Sequence, residues 1–396
     1  MPTRTRTDIP VYRPDLYSAA AIRDTYPHYA RLRELGPVVW LTKHKVHALP
    51  RYAECKAVLL DDETFISGDG VALNPLANRM GQGTTLYSDG ADHDRRRSQV
   101  AHRLTPRALR PMTTAVDEQA AQVVEAALAR RAVDGVEMAM ALPLSVVPDL
   151  VGWPEEGREH LLRWAGAAFN GQGPINRQAV RTLPSALGMM RYARRVVRER
   201  SVLEGSMGHD LLCAADEGKI PPAECATMMM DYLSPSLDTT ISAIASALHL
   251  FATHPEQWRL LKEDPGRIPN AVNEVVRYDS PVRAFTRVAA RDTTIAGTPI
   301  PKGSRLLVLY GSANRDALEW EDPDTFDIRR DAARQLGFGQ GTHGCAGQGL
   351  ARLETSAMLR ALVTRVDRIE LTGTPEWALN NIIHRYERLP LKLIPA

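Results

Sequence analysis

A single cysteine set among glycines and followed at once by a helical pattern constrains this chain more than any other feature. In LGFGQGTHGCAGQGLARLETSAMLRALVTRV, Gly339, Gly341, Gly344 and Gly347 surround Cys345, and the sequence turns strongly amphipathic from about Leu350. That pattern predicts a loop that delivers one cysteine to the start of a helix. Helix-terminal amides and the macrodipole favour an anion there, so a depressed thiol pKa is expected, and glycines let backbone amides approach the sulfur. A nucleotide-binding reading of the glycines fails, because no buried strand leads into them as a βαβ unit requires.

The other cysteines, Cys55, Cys213 and Cys225, are widely scattered and form neither a C-x-x-C pair nor a His-paired zinc pattern. Each lies in a helix-like apolar stretch and is expected to be a small core residue. With 396 residues, 44% of them hydrophobic and 24% charged, the chain can bury a large core without lipid or metal clips. Its 49 Lys and Arg nearly balance 47 Asp and Glu, which argues against a nucleic-acid partner bound through phosphate neutralisation. The start, MPTRTRTDIPVYRPDLYS, lacks an apolar targeting core and no apolar run approaches membrane-spanning length. A cytoplasmic protein without a membrane partner is therefore expected.

Periodicity predicts a helix over residues 22–36 stopped by Gly36 and Pro37, then two short strands in VVWLTKHKVHALPRY and a helix in AECKAVLLDDETF. Residues 67–90 are rich in Gly, Asn and Pro and read as a long functional loop. Helical pattern then dominates 92–262, with a break at GQGPINRQ (171–178). Strands return in TRVAARDTTIAGTPIPKGSRLLVLYGSA, RIELTGTPEW and LPLKLIPA. The expected fold class is mainly α with small β-sheets at one side, in a single domain over 1–396 with no repeat and no linker.

FGQGTHGCAGQGLAR, from Phe338 to Arg352, resembles the haem-ligand signature of the soluble bacterial cytochrome P-450 family at every usual position. The resemblance implies that family's triangular helical haem domain. It further implies haem b, iron protoporphyrin IX, ligated by the Cys345 thiolate, with Phe338 and Gly347 in the cofactor pocket. Glu274 and Arg277 in NEVVRYDSP correspond to the family's Glu-x-x-Arg pair, and GSANRD is another of its strings. His93 and Arg97 in HDRRR, Arg287 in PVRAFTR, and His343 correspond to its propionate-holding groups, for which charge-assisted bonds are well suited.

The stretch MMMDYLSPSLDTTISAIASALHLFATHPEQW resembles the family's long central helix, with Asp238 and Thr239 matching the acid and alcohol that deliver protons during oxygen activation. Where the family usually has Ala-Gly before the acid, this chain has Pro235, Ser236 and Leu237. Proline removes an amide donor and kinks a helix, so a wider or displaced groove is expected. The alternative is that Thr239 and Thr240 merely bond kink carbonyls.

The resemblance implies a substrate pocket lined by Val71, Leu73 and Leu76, by Phe169 to Ile175, by Asp231, Ser234 and Pro235, by Arg283 to Phe285, and by Ile382 and Ile383. Strings such as PLSVVPD, EGREHLL and RLPLKL are similar to the branch that demethylates para-methoxy aromatic acids. That branch holds a carboxylate with arginine and serine, where this chain has Asp69, Met230 and Asp231. Like charge would repel, so a neutral or basic organic substrate is expected, and tailoring of a secondary metabolite fits equally.

No flavin or nucleotide motif is present, so electrons are expected from a ferredoxin and its ferredoxin reductase. Their expected docking surface is the basic run bearing Arg95, Arg96, Arg103, Arg107 and Arg110. The implied activity is a haem-thiolate monooxygenase that inserts one atom of molecular oxygen into a small to medium organic molecule. A peroxide-driven peroxygenase and a non-catalytic haem-binding sensor are the alternatives.

Overall fold

The computed structural model describes residues 9–396, apart from the Ser234 side chain; the arginine-bearing start of the chain lies outside the described residues. The architecture is mainly helical with small sheets, as expected. Its axis is the 32-residue helix Pro222–Thr253. Met228, Leu233, Leu237, Ile244 and Leu248 on that helix are all but inaccessible to solvent. A helix that is apolar nearly all round must be covered on all sides. Helices Gly135–Val151, Leu161–Gln172 and Arg177–Glu199 pack against it. Among the described residues, no helix is long and apolar enough to cross a membrane.

A six-stranded sheet flanks the helices, in the order Val11–Tyr12, Val39–Leu41, Val46–Leu49, Arg305–Leu309, Ala284–Ala289, Phe65–Ile66. The expected hairpin is its second and third strands, paired antiparallel with Trp40 opposite His47. A smaller sheet joins Val366–Leu371, Pro390–Pro395 and Val133–Asp134.

Local boundaries differ from the sequence reading where punctuation outweighs periodicity. The single helix expected over 22–36 is two, Ala19–Arg23 and Tyr26–Leu35, because Pro27 starts a helix more readily than it continues one. Gly36 does end it. The loop of 67–90 holds a further helix, Pro75–Met80, begun by Pro75 and capped by the Asn74 side chain on the Ala77 amide at 2.8 Å. The helical stretch of 92–262 breaks at 171–178 as expected, and also at Gly152 and Arg200, both in the left-handed conformation that ends helices. Cys55 and Cys225 are buried, but Cys213 is exposed rather than core.

One buried cluster fixes the chain that approaches the cysteine loop. Glu274 and Arg277, on helix Ile268–Tyr278, are both 0% exposed and bond through two contacts of 2.6 and 2.8 Å. Arg277 also donates to the carbonyls of Asn314, Pro323 and Thr325 at 2.9, 2.8 and 3.0 Å, while Glu274 accepts the Asp327 amide at 3.0 Å. Asn314 accepts the Leu336 amide at 2.7 Å. The string GSANRD thus ties the central helices to the residue before the glycine-rich loop.

Candidate active site

The loop closes on itself through backbone bonds. The Cys345 amide donates to Phe338 O at 2.8 Å, Gly339 to Leu336 O at 2.8 Å and Gly344 to Gly341 O at 2.9 Å. Gly339 and Gly341 both have φ of +68°, and a Cβ on Gly341 would lie 2.5 Å from Leu59 O. Glycine is required there on both counts. Arg97 donates to Gly344 O at 2.9 Å and Arg352 stacks 4.6 Å over the Phe338 ring. Helix Gln348–Arg365 then begins directly after Gly347. Burial pushes the Cys345 thiol up, against the expectation of a depressed value; the amides of Gly347 and Gln348 and the charges of Arg97 and Arg352 act in the expected direction but are outweighed.

Above Cys345 lies a cavity of about 440 Å³, bounded by the central helix, the 74–87 segment and helices Leu161–Gln172 and Arg177–Glu199. Its lining is mostly apolar, and Leu76, Met80, Ile175, Val180 and Leu183 form an exposed apolar rim. Arg97, Arg287, Phe338, His343 and Gly347 all line it along with Cys345. His93 does not. It is buried behind His343, with ring centroids 4.6 Å apart. The Nε2 atoms of both histidines are buried without a hydrogen-bond partner, and Asp89 is 3.7 Å from His343 Nε2, too far to serve. Burial holds the His343 ring below the usual histidine range, Asp89 only partly offsetting it.

The central helix continues through Pro235 without interruption. Thr239 lines the cavity and donates its hydroxyl to Pro235 O at 2.5 Å, the back-bonding pattern of threonine within a helix. Asp238 is 0% exposed and is not on the cavity wall. Neither of its carboxylate oxygens has a hydrogen-bond partner; Arg385 Nε is 3.5 Å away, and burial raises the Asp238 pKa. Neighbouring residues on a helix diverge by roughly 100°, so the acid and the alcohol face different sides. Arg385 carried no signal in the sequence.

Of the expected substrate contacts, Leu76, Phe169, Asp231, Pro235 and Phe285 line the cavity. Val71 and Leu73 do not, because backbone bonds turn them into the protein: Val71 O accepts the Thr286 amide at 2.9 Å and Leu73 N donates to Gln172 O at 2.8 Å. Ile382 is also off the wall, packed behind Phe169 with Ile383. Arg283 is core, donating to Ile22 O at 2.7 Å. Asp69 is exposed, while Met230 lines the cavity; the Ser234 side chain lies outside the described residues. Thr84 to Tyr87 form a stretch of wall that the sequence reading missed.

The expected basic docking run is partly neutralised. Arg96 is buried and bonded to Glu224 at 2.8 Å, Arg95 joins Glu224 and Asp92 at 3.2 and 3.1 Å, and Arg103 joins Asp210 at 2.6 Å. Arg107 and Arg110 remain exposed.

The sequence profile of the Cytochrome P450 family matches residues 268–376, from the Glu274–Arg277 helix through the cysteine loop. The chain is 36% identical to cytochrome P450 CYP199A2 of Rhodopseudomonas palustris over 100% of its own length and 97% of that protein's. It is 31% identical to 6-deoxyerythronolide B hydroxylase of Saccharopolyspora erythraea over 96% and 98% of the two chains. Among solved structures it is similar to epothilone D-bound cytochrome P450epoK, with a TM-score of 0.87, 26% identity, and coverage of 97% of this chain and 100% of that one. This likeness along the whole chain, with a lone cysteine in its glycine loop on the floor of a deep cavity, shows that the chain belongs to the cytochrome P450 family and is a cytochrome P450 monooxygenase, a membership that implies a haem-thiolate.

Proposed function

We propose that Cys345 ligates haem b and that the cavity above it takes a small to medium organic substrate for insertion of one oxygen atom, electrons arriving from a ferredoxin and its reductase. The observation that carries this reading is the donor set around Cys345: two guanidinium groups, Arg97 and Arg287, on the cavity wall, and two buried imidazole nitrogens, on His93 and His343, without partners. Buried polar atoms without partners are costly, and two carboxylates of a porphyrin would satisfy them. When bound, the thiolate-ligated haem supplies the electron-rich iron at which oxygen is activated. The whole of 1–396 serves as one haem domain in the cytoplasm. Turnover with ferredoxin and reductase, and its failure with peroxide alone, separates this reading from a peroxygenase and from a sensor.

Thr239 is the proton-handling group on the cavity side. Its hydrogen is directed to Pro235 O, which leaves its oxygen lone pairs free to accept a hydrogen bond from water or substrate; on rotation toward the cavity the hydroxyl would pass on its own proton as it takes one from that donor. Asp238 acts from behind the wall, where Arg385 at 3.5 Å only partly offsets the burial that raises its pKa. Thr239→Ala should leave haem content and substrate binding intact while product formation falls on the order of 10²-fold and oxygen is diverted to hydrogen peroxide. Product formed per reduced cofactor consumed, measured side by side with wild type, decides it. Unchanged coupling assigns the proton to ordered water or to the substrate.

Asp231 stands where the para-methoxybenzoate branch holds a carboxylate, which favours a neutral or basic substrate over an anionic one. The outcome is a tailoring hydroxylation or dealkylation in secondary metabolism; the Saccharopolyspora relative is named a hydroxylase. For electron supply, Arg107 and Arg110 are the exposed charges of the basic run. Reduction by an acidic ferredoxin should slow several-fold as ionic strength rises and the Debye length falls from roughly 30 Å to 3 Å. A rate that is flat over that range removes this surface as the docking site.

A further inference from the structure

Asp231 is the only carboxylate among the described residues that line the cavity. It shares one face of the central helix with Pro235 and Thr239, at spacings of four and eight residues, and all three line the cavity. Eight residues of helix span roughly 12 Å. The acid and the proton-handling hydroxyl therefore mark two ends of one wall.

The carboxylate is incompletely satisfied. It accepts the Thr85 amide at 2.9 Å, and the Leu86 amide and the Thr85 hydroxyl are also directed to it, whereas a carboxylate has room for about four donors. Burial pushes its pKa up to about 6, the amides of Thr85 and Leu86 opposing, so at neutral pH it remains mostly charged. Arg96 lowers the Asp231 pKa through its charge, but its hydrogen bonds, like those of Arg305 beside Tyr87, go to other groups. Arg96 holds Glu224 at 3.1 and 2.8 Å, and Arg305 holds the carbonyls of Gly70 and Ala72, each at 2.9 Å. Tyr87 and Tyr232 line the same part of the cavity, and each phenol is raised first by burial and next by the charge of Asp231, which places both rings within its electrostatic reach. A negative charge beside aromatic rings in an otherwise apolar wall is a donor set for an organic cation.

Resting on the assignment of this cavity as the substrate site, we infer that the enzyme selects an organic substrate bearing a cationic amine, held at Asp231 with the carbon to be oxidised roughly 12 Å along the wall, near Thr239. The competing role for Asp231 is a brace for the 84–87 segment through the Thr85 amide. The two roles differ in what a charge-neutral variant does to matched ligands.

The test uses haem-loaded protein and isothermal titration calorimetry with three probes: 4-phenylbutyl(trimethyl)ammonium, its uncharged isostere with a tert-butyl group, and 5-phenylpentanoate. The quaternary ammonium can neither ligate iron nor lose its charge. Wild type should bind the cation at least tenfold more tightly than the isostere and the carboxylate most weakly. Asp231→Asn, which keeps an acceptor for the Thr85 amide, should weaken the cation at least tenfold and leave the isostere unchanged. The inference is overturned if wild type fails to bind the cation or does not prefer it, or if the variant weakens cation and isostere equally. The reduced carbonyl spectrum of the same preparations reports on thiolate ligation separately, so loss of the cofactor assignment and loss of cation selection are distinguishable.

Discussion

Replacing Cys345 by serine should abolish the thiolate-type absorption of the reduced carbonyl complex and reduce monooxygenase turnover to background. The loop should survive the change. Its closing bonds run from backbone to backbone, Cys345 N to Phe338 O at 2.8 Å among them, and serine is the smaller side chain. What is lost is the sulfur itself, since a serine hydroxyl does not ionise near neutral pH. No other thiol can take over: Cys55 and Cys225 are buried in the core, Cys213 is exposed, and of the four only Cys345 lines the cavity. Cys213→Ser serves as the control and should keep the wild-type spectrum. A Cys345→Ser protein that folds, binds haem and still gives the thiolate-type carbonyl band would place the ligand elsewhere.

The cysteine loop was legible because its information is local. The left-handed glycines and the helix beginning after Gly347 lie within a dozen residues of Cys345; the approach of Gly341 to Leu59 O, from the far side of the sequence, was not readable. Helix and strand identities followed from periodicity for the same reason, except where Pro27 cut a periodic run and where Asn74-Pro75 started a helix inside a stretch with no period, read as loop. The pocket was less legible because a loop has no period to say which way a side chain turns. Val71 and Leu73 face the protein, while Thr85 and Tyr87 face the cavity. Residues adjacent on a helix diverge by roughly 100°, and here Asp238 falls off the cavity wall while Thr239 stays on it; Asp231, Pro235 and Thr239, spaced four apart, share that wall. Charge pairing across the chain was invisible. The partner of Arg96 is Glu224, 128 positions away, so an arginine-rich run read as a free basic surface contains a buried ion pair.

Arg277→Ala should destabilise the fold by about 3–5 kcal/mol, the range for removing one member of a buried ion pair. That is a large share of the roughly 5–15 kcal/mol by which folded proteins exceed their unfolded states. The usual remedy for such a pair, replacing both members by apolar groups, should fail here. Arg277 also serves the carbonyls of Asn314, Pro323 and Thr325, and Glu274 serves the Asp327 amide. Glu274→Leu combined with Arg277→Met would remove the two charges yet leave the buried Asn314 carbonyl unpaired, at about 1–3 kcal/mol, and take the partner from three partly buried backbone groups, the carbonyls of Pro323 and Thr325 and the Asp327 amide. Arg277→Lys should also be costly, since an ammonium cannot fork to both Glu274 oxygens and reach three carbonyls. Because Asn314 carries the Leu336 amide, loosening this cluster should reach the cysteine loop and lower haem retention along with stability. Denaturant midpoints and haem content of the three variants, set against wild type, test the account. A double variant as stable as wild type would show that neither the ion pair nor its bonds to the backbone contribute net stability to this segment.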